Sequence, residues 1–194
     1  IFGLEGDPAV SFYAAEAGTY FLRVGDASDG GGADYSFTVD LAQVPAGDPT
    51  EIPEVEPNDL VDDWQDLGSL GGGIHALSGV AETAGHGADN DLNGDLDVFR
   101  FTVAENSTAS FTLSWETGDD FDAVIYDDTD GETVLGFGSD QAIDLSMAST
   151  AQPEATTQEL SAGTPYVIGI GNWDGDDGSA WDLKIVVIPS GFPQ

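Results

Sequence analysis

The chain has no cysteine, two histidines and only three basic residues, Arg23, Arg100 and Lys184, among 194. Without cysteine no disulfide can staple the fold, and thiol catalysis and thiolate metal sites are excluded. Three cations cannot pair with 37 Asp and Glu, and the formal net charge is -34. Counterions, bound metal or self-repulsion must account for the remainder. Nucleic acid and anionic membrane surfaces are excluded as partners, because binding phosphate requires basic side chains. No stretch approaches the roughly 18 apolar residues of a membrane-spanning helix, so no membrane insertion is expected. Residue 1 opens without a basic and apolar signal segment, so a secreted form is expected to be mature or clipped.

What is present argues for a folded core. Apolar residues make up 40%, with ten Phe, four Trp and five Tyr, whereas acidic disordered chains are poor in aromatic and β-branched residues. An acidic surplus of this kind fits two settings. One is a halophilic protein with a hydrated acidic surface, the other a calcium-rich cell exterior, and composition leaves both open.

An internal repeat organises the chain. Residues 17 to 25, "AGTYFLRVG", match 162 to 171, "AGTPYVIGIG", and residues 33 to 41, "ADYSFTVDL", match 179 to 187, "SAWDLKIVV". Each copy reads as a strand, a Gly/Asp-rich hairpin loop and a second strand alternating with period two. Between the copies lie further strand candidates at 74 to 80, 97 to 103, 108 to 115, 122 to 127, 133 to 138 and 142 to 147, separated by Gly, Asp, Asn and Ser. Only 58 to 68 hints at a helical period. The expected fold class is therefore all-β, an antiparallel jelly-roll-like β-sandwich. It comprises one complete module over 54–190, a proline-rich linker over 45–53, and a partial three-stranded first copy over 1–44. A lone three-stranded piece is marginal. It is expected to pack on the complete module, to complete a neighbouring chain by strand addition, or to belong to a longer tandem array.

The stretch "EVEPND" at 54 to 59 opens the complete module with Glu54, Glu56 and Asp59 crowded beside Asn58. Three carboxylates so close repel unless a cation sits among them. Hard cations such as calcium take six to eight oxygen ligands from carboxylates, amide oxygens and backbone carbonyls. A second acidic run, "DNDLNGDLD" at 89 to 97, places Asp89, Asp91, Asn93, Gly94 and Asp97 at EF-hand-like spacings. The twelfth position is Arg100 instead of Glu and no helices flank the loop, so a true EF-hand is rejected; calcium in another geometry stays open for Asp89 and Asp91.

The order "EPND", then "GDLDVFRFTV", then "DDFDAVIYD", then "AGTPYVIGIGN" and a last alternating strand resembles the bacterial pre-peptidase C-terminal domain, a secreted β-sandwich appended to extracellular proteases. The resemblance spans residues 54 to 189, with 1 to 41 as the tail of another copy. It is similar too to the collagen-binding modules of bacterial collagenases. It implies a non-catalytic module in which an acidic segment at the linker junction binds Ca2+. By that resemblance Glu54, Glu56, Asn58 and Asp59 would meet Asp95 and Asp97, and the metal would pin linker to sandwich.

The remaining candidates are weaker. His75 in a strand and His86 in a Gly-rich loop give little support for zinc, no G-x-S-x-G elbow occurs, and no enzyme is expected. Trp115 and Trp181 fall on alternating strand positions and read as core, while Trp173 and Trp64 are candidates for an exposed aromatic contact with a glycan or an extracellular protein. The loop "WDGDDGSAW", 173 to 181, reads as a polar hairpin. Asn106 heads a glycosylation sequon at a strand turn. Two functional readings follow. One is a calcium-stabilised accessory module that tethers or targets a protein outside the cell or at its surface. The other is a structural subunit of a filament or surface layer, in which the incomplete first copy is completed by another copy of the chain.

Overall fold

Side chains that alternate between apolar and polar demand extended backbone, since only a strand sends successive residues to opposite faces. The computed structural model describes residues 47–58, 63–85, 95–116, 118–128, 142–146 and 153–191, with Thr19; of 142–146 it describes the strand path alone. These residues contain β1 (Thr50–Pro53), β2 (Gln65–Leu70), β3 (Gly73–Ala81), β4 (Leu96–Val103), β5 (Ser107–Trp115), β6 (Asp120–Asp127), β7 (Ala142–Ser146), β8 (Glu154–Leu160), β9 (Tyr166–Asp174) and β10 (Ser179–Pro189). Two five-stranded sheets result, ordered β1-β3-β10-β5-β8 and β2-β4-β9-β6-β7. The architecture is the all-β sandwich that the alternation calls for.

Strand β5 illustrates the pattern: Ala109, Phe111, Leu113 and Trp115 point into the core, while Thr108, Ser110, Thr112 and Ser114 point out. Phe99, Phe101 and Val103 of β4, Ile168 and Ile170 of β9, and Leu183, Ile185 and Val187 of β10 meet them from both sheets. Burial of this apolar area drives the fold at about 25 cal/mol per Å2. The second sheet also carries apolar residues on its outer face, where Val98, Val124, Tyr126 and Val167 cluster with Trp64 and Leu96. Arg100 sits 5.0 Å from the Trp64 ring centre and pairs with Asp128 at 3.1 Å.

The central pairs are antiparallel, but both sheets are mixed: β1 joins β3 in parallel, and β2 joins β4 in parallel. The cause is the path of the chain. It leaves the first sheet after β1, adds β2 to the second, returns as β3 and crosses again as β4, so each return runs in the direction of departure. Three strands also fall where alternation is weak. Thr50–Pro53 lies within the expected linker, Gln65–Leu70 overlaps the segment with a helical hint, and Glu154–Leu160 has few apolar residues. The candidate strand at 133–138 and the first repeat copy lie outside the described residues.

Candidate metal centre

The first inward position of β4 is a carboxylate. Asp97 shares its face with Phe99, Phe101 and Val103 and is fully buried. The linker reaches it from the other sheet. Pairing with β3 brings the chain to Pro53, where the Glu54 N–H donates to the Ser78 carbonyl at 3.0 Å. The Gln65 side-chain amide then grips the same stretch, donating to Pro53 O at 3.1 Å and accepting from Val55 N at 2.9 Å. Glu54 Oε2 accepts from the Val80 N–H at 2.9 Å, and Glu56 Oε2 from the Asn58 N–H at 3.0 Å. Asn58 is fully buried: its carbonyl accepts from Val98 N at 3.0 Å, and its side-chain nitrogen donates to Glu54 Oε1 at 3.3 Å.

These contacts gather oxygen. Carboxylate oxygens of Glu54, Glu56 and Asp97 lie within 4.8 Å of one another. Asn58 Oδ1 and Asp97 Oδ1, both buried, have no hydrogen-bond partner among the described residues. Leaving such an atom unsatisfied in the interior costs about 1–3 kcal/mol, more for a charged group. Asp97 is pushed up to about 10, first by burial, then by the adjoining Glu54 carboxyl and the charge of Asp95, with the Trp181 N–H opposing. Glu54 and Asp97 face each other as two acceptors; as carboxylates neither has a hydrogen to give, so they hold together only around a shared proton or a cation. An all-oxygen set of carboxylates and an amide is the donor chemistry of calcium, and the two orphaned oxygens make the residues a fit for it.

Of the residues expected from sequence, Glu54, Glu56, Asn58 and Asp97 converge. Asp95 stands beside them, its Oδ2 accepting from Glu82 N at 2.7 Å and its N–H donating to Thr83 O at 2.9 Å. Asp59, Asp89, Asp91 and His86 lie outside the described residues. His75 is in β3 and contacts Gly71 O at 3.0 Å, away from the acidic set. Trp115 and Trp181 are core, as expected, and Trp173 is half-buried.

Two participants escape the sequence reading. Trp181 donates its indole N–H to Asp97 Oδ2 at 2.5 Å across the two sheets. Gly79, its partner in β3, leaves open the space that a Cβ would contest with Glu54 Oε2 and the Trp181 ring. The signal for Trp181 was its register opposite a glycine, which only a known pairing reveals.

A second acidic group occupies the same end of the sandwich. Asp119 Oδ1 accepts from Asp176 N at 2.9 Å, and its carbonyl accepts from the Trp115 indole at 2.6 Å, which fixes the β9–β10 hairpin. Asp122 is pushed up to about 7 by burial, then by Glu154 and Asp120. Burial, then Asp174, likewise raises Asp120.

No protein-family model matches the chain, and no curated sequence matches it either. Among solved structures it is similar to the pre-peptidase C-terminal domain of a Bacillus anthracis collagenase, at 16% identity and TM-score 0.43, over 62% of this chain and 92% of that one. It is similar also to PliG of Aeromonas hydrophila, a periplasmic inhibitor of g-type lysozyme, at 12% identity and TM-score 0.38, over 71% and 96%. A third is CorA, a surface-associated copper-binding protein of Methylomicrobium album BG8, at 6% identity and TM-score 0.37, over 73% and 98%. The chain's own two sheets make it an all-β sandwich.

Proposed function

We propose that this chain is a non-catalytic β-sandwich module of the cell exterior or surface, stabilised by calcium that Glu54, Glu56, Asn58 and Asp97 hold at the linker junction, with Asp95 contributing charge. The observation that carries this reading is the pair of buried, unpartnered oxygens, Asn58 Oδ1 and Asp97 Oδ1, beside the Glu54 and Glu56 carboxylates. A bound cation supplies the positive charge that three basic residues cannot. Calcium outside cells is abundant enough for modules with dissociation constants of about 10⁻⁴–10⁻³ M. Asp97, buried against the core, can hold an ion but cannot itself meet a substrate, which favours a binding or tethering role over catalysis.

The test is thermal unfolding at fixed high ionic strength, with chelator and then with millimolar calcium. For a dissociation constant of about 10⁻⁴ M, calcium at about 10 mM is 100 times that constant and adds about 2.7 kcal/mol, which in a chain of this size raises the midpoint by roughly 5–10 °C. The rise is expected to disappear in Glu56→Ala and Asp97→Ala. No response to calcium would return "EVEPND" to the solvated acidic surface. The repeated "AGTYFLRVG" and "ADYSFTVDL" segments support a second reading, a self-assembling structural subunit; light scattering on the same samples separates a monomeric module from an assembly.

A further inference from the structure

In each of the three clustered carboxylates at least one oxygen takes an N–H, Glu54 Oε2 from Val80 N, Glu56 Oε2 from Asn58 N and Asp97 Oδ2 from Trp181, while Glu54 Oε1 also takes the Asn58 side-chain amide. The first two donors are backbone. The third is a side chain, so it is a feature that substitution can remove. An indole N–H donates and cannot accept, hence Trp181 can never exchange roles and ligate the ion itself. It is also held rigidly. Trp181 is 1% exposed, stands edge-to-face on Phe99 at 5.7 Å and 74°, and lies across Gly79, where a Cβ would displace both the ring and Glu54. Among the described residues Asp97 is left with one unpartnered oxygen, Oδ1.

From this geometry we infer that Trp181 is a positioning residue that sets the ion selectivity of the site, by restricting Asp97 to a single oxygen. The inference rests on the cation-binding reading above. A carboxylate confined to one oxygen suits a small six-coordinate ion almost as well as a large one, because magnesium demands octahedral single-oxygen ligands. Calcium by contrast readily takes both oxygens of a carboxylate and tolerates higher coordination. Holding Oδ2 away therefore narrows the margin of calcium over magnesium, while orienting Oδ1 strengthens binding of both.

The experiment is calorimetric titration of the whole chain with calcium chloride and with magnesium chloride, for the native protein, Trp181→Phe and Trp115→Phe. Loss of an outer hydrogen bond to a metal ligand typically weakens binding about 10–100-fold. In Trp181→Phe magnesium is expected to weaken by that factor. Calcium should weaken several-fold less, because it regains the second Asp97 oxygen, and the calcium-to-magnesium ratio widens. Trp115→Phe removes an indole whose N–H goes to Asp119 O; its ratio should stay at the native value. A ratio unchanged in Trp181→Phe, or widened equally in Trp115→Phe, overturns the inference while leaving the cation site standing. A native protein that binds neither ion overturns the site itself. Where Trp181→Phe does not fold, the native protein still decides: the Trp181 indole resonance must shift when calcium saturates the site, and one that stays fixed rejects the role.

Discussion

Asp97 is the residue on which the balance at the acidic end turns. Its carboxyl stays protonated in the metal-free fold far above the ordinary 3.8, because burial and Glu54 raise it to about 10. The unfolded chain releases that proton near pH 4, so the folded form without calcium is most stable in acid and loses stability as pH climbs from about 4 toward 10. Asp97→Asn keeps the shape and removes the ionisable group. In chelator at pH 8 it is expected to raise stability by a few kcal/mol, roughly, and in calcium it should lose the metal increment. Paired denaturant melts read both signs, and a variant destabilised in chelator would contradict the account. Asp122 offers a test away from the proposed ligands. Its neighbours Glu154 and Asp120 and its burial raise it to about 7, so its contribution is complete below about pH 4 and erodes between there and 7. Asp122→Asn should flatten the pH-stability curve across that window and leave calcium affinity unchanged.

At the level of elements, the interior strands were legible, and of the four described edge strands only β7, expected at 142 to 147, was. β5 alternates cleanly because one face enters the core; β4 and β10 keep an inward apolar register although Val98 and Val186 are buried on the opposite face, and the inward residues of β4 include Asp97, so a charged residue in that register was visible in "DVFRFTV". β1 and β8 are edges among the described residues, where one side has no described partner strand and burial no longer dictates apolar choices, and "TEIP" and "EATTQEL" carry little period. The segment "QDLGSL" was obscured by Gly68, which takes a positive φ of 70° and coincides with a register shift against β4. The site mixes the two cases. "EVEPND" announced the acidic cluster, whereas Trp181 and Gly79 belong to it only through inter-strand register. Because β1 and Gln65 carry Glu54 to the site, loosening them should weaken it. Gln65→Ala deletes the bonds to Pro53 and Val55, about 0.5–1.5 kcal/mol each. Faster hydrogen exchange at Val55, together with reduced calcium affinity, is the expected result; faster exchange with unaltered affinity would show that the linker and the site are uncoupled.

For the whole molecule the question is whether calcium and general salt are one effect or two. A formal charge of -34 makes the fold repel itself, and monovalent salt relieves this gradually as the Debye length falls from about 10 Å at 0.1 M to about 3 Å at 1 M. Calcium at a buried site acts differently, since Asp97 and Asn58 are shielded from bulk ions and the increment saturates once the site is full. Midpoints measured against potassium chloride, with chelator and with saturating calcium, should therefore give two rising curves that run parallel, offset by the binding increment. Curves that merge at high salt would mean that calcium is only a more effective screening ion. In that event the oxygen cluster at the linker junction would be one acidic patch among many, and Asp97 would be held by its proton alone.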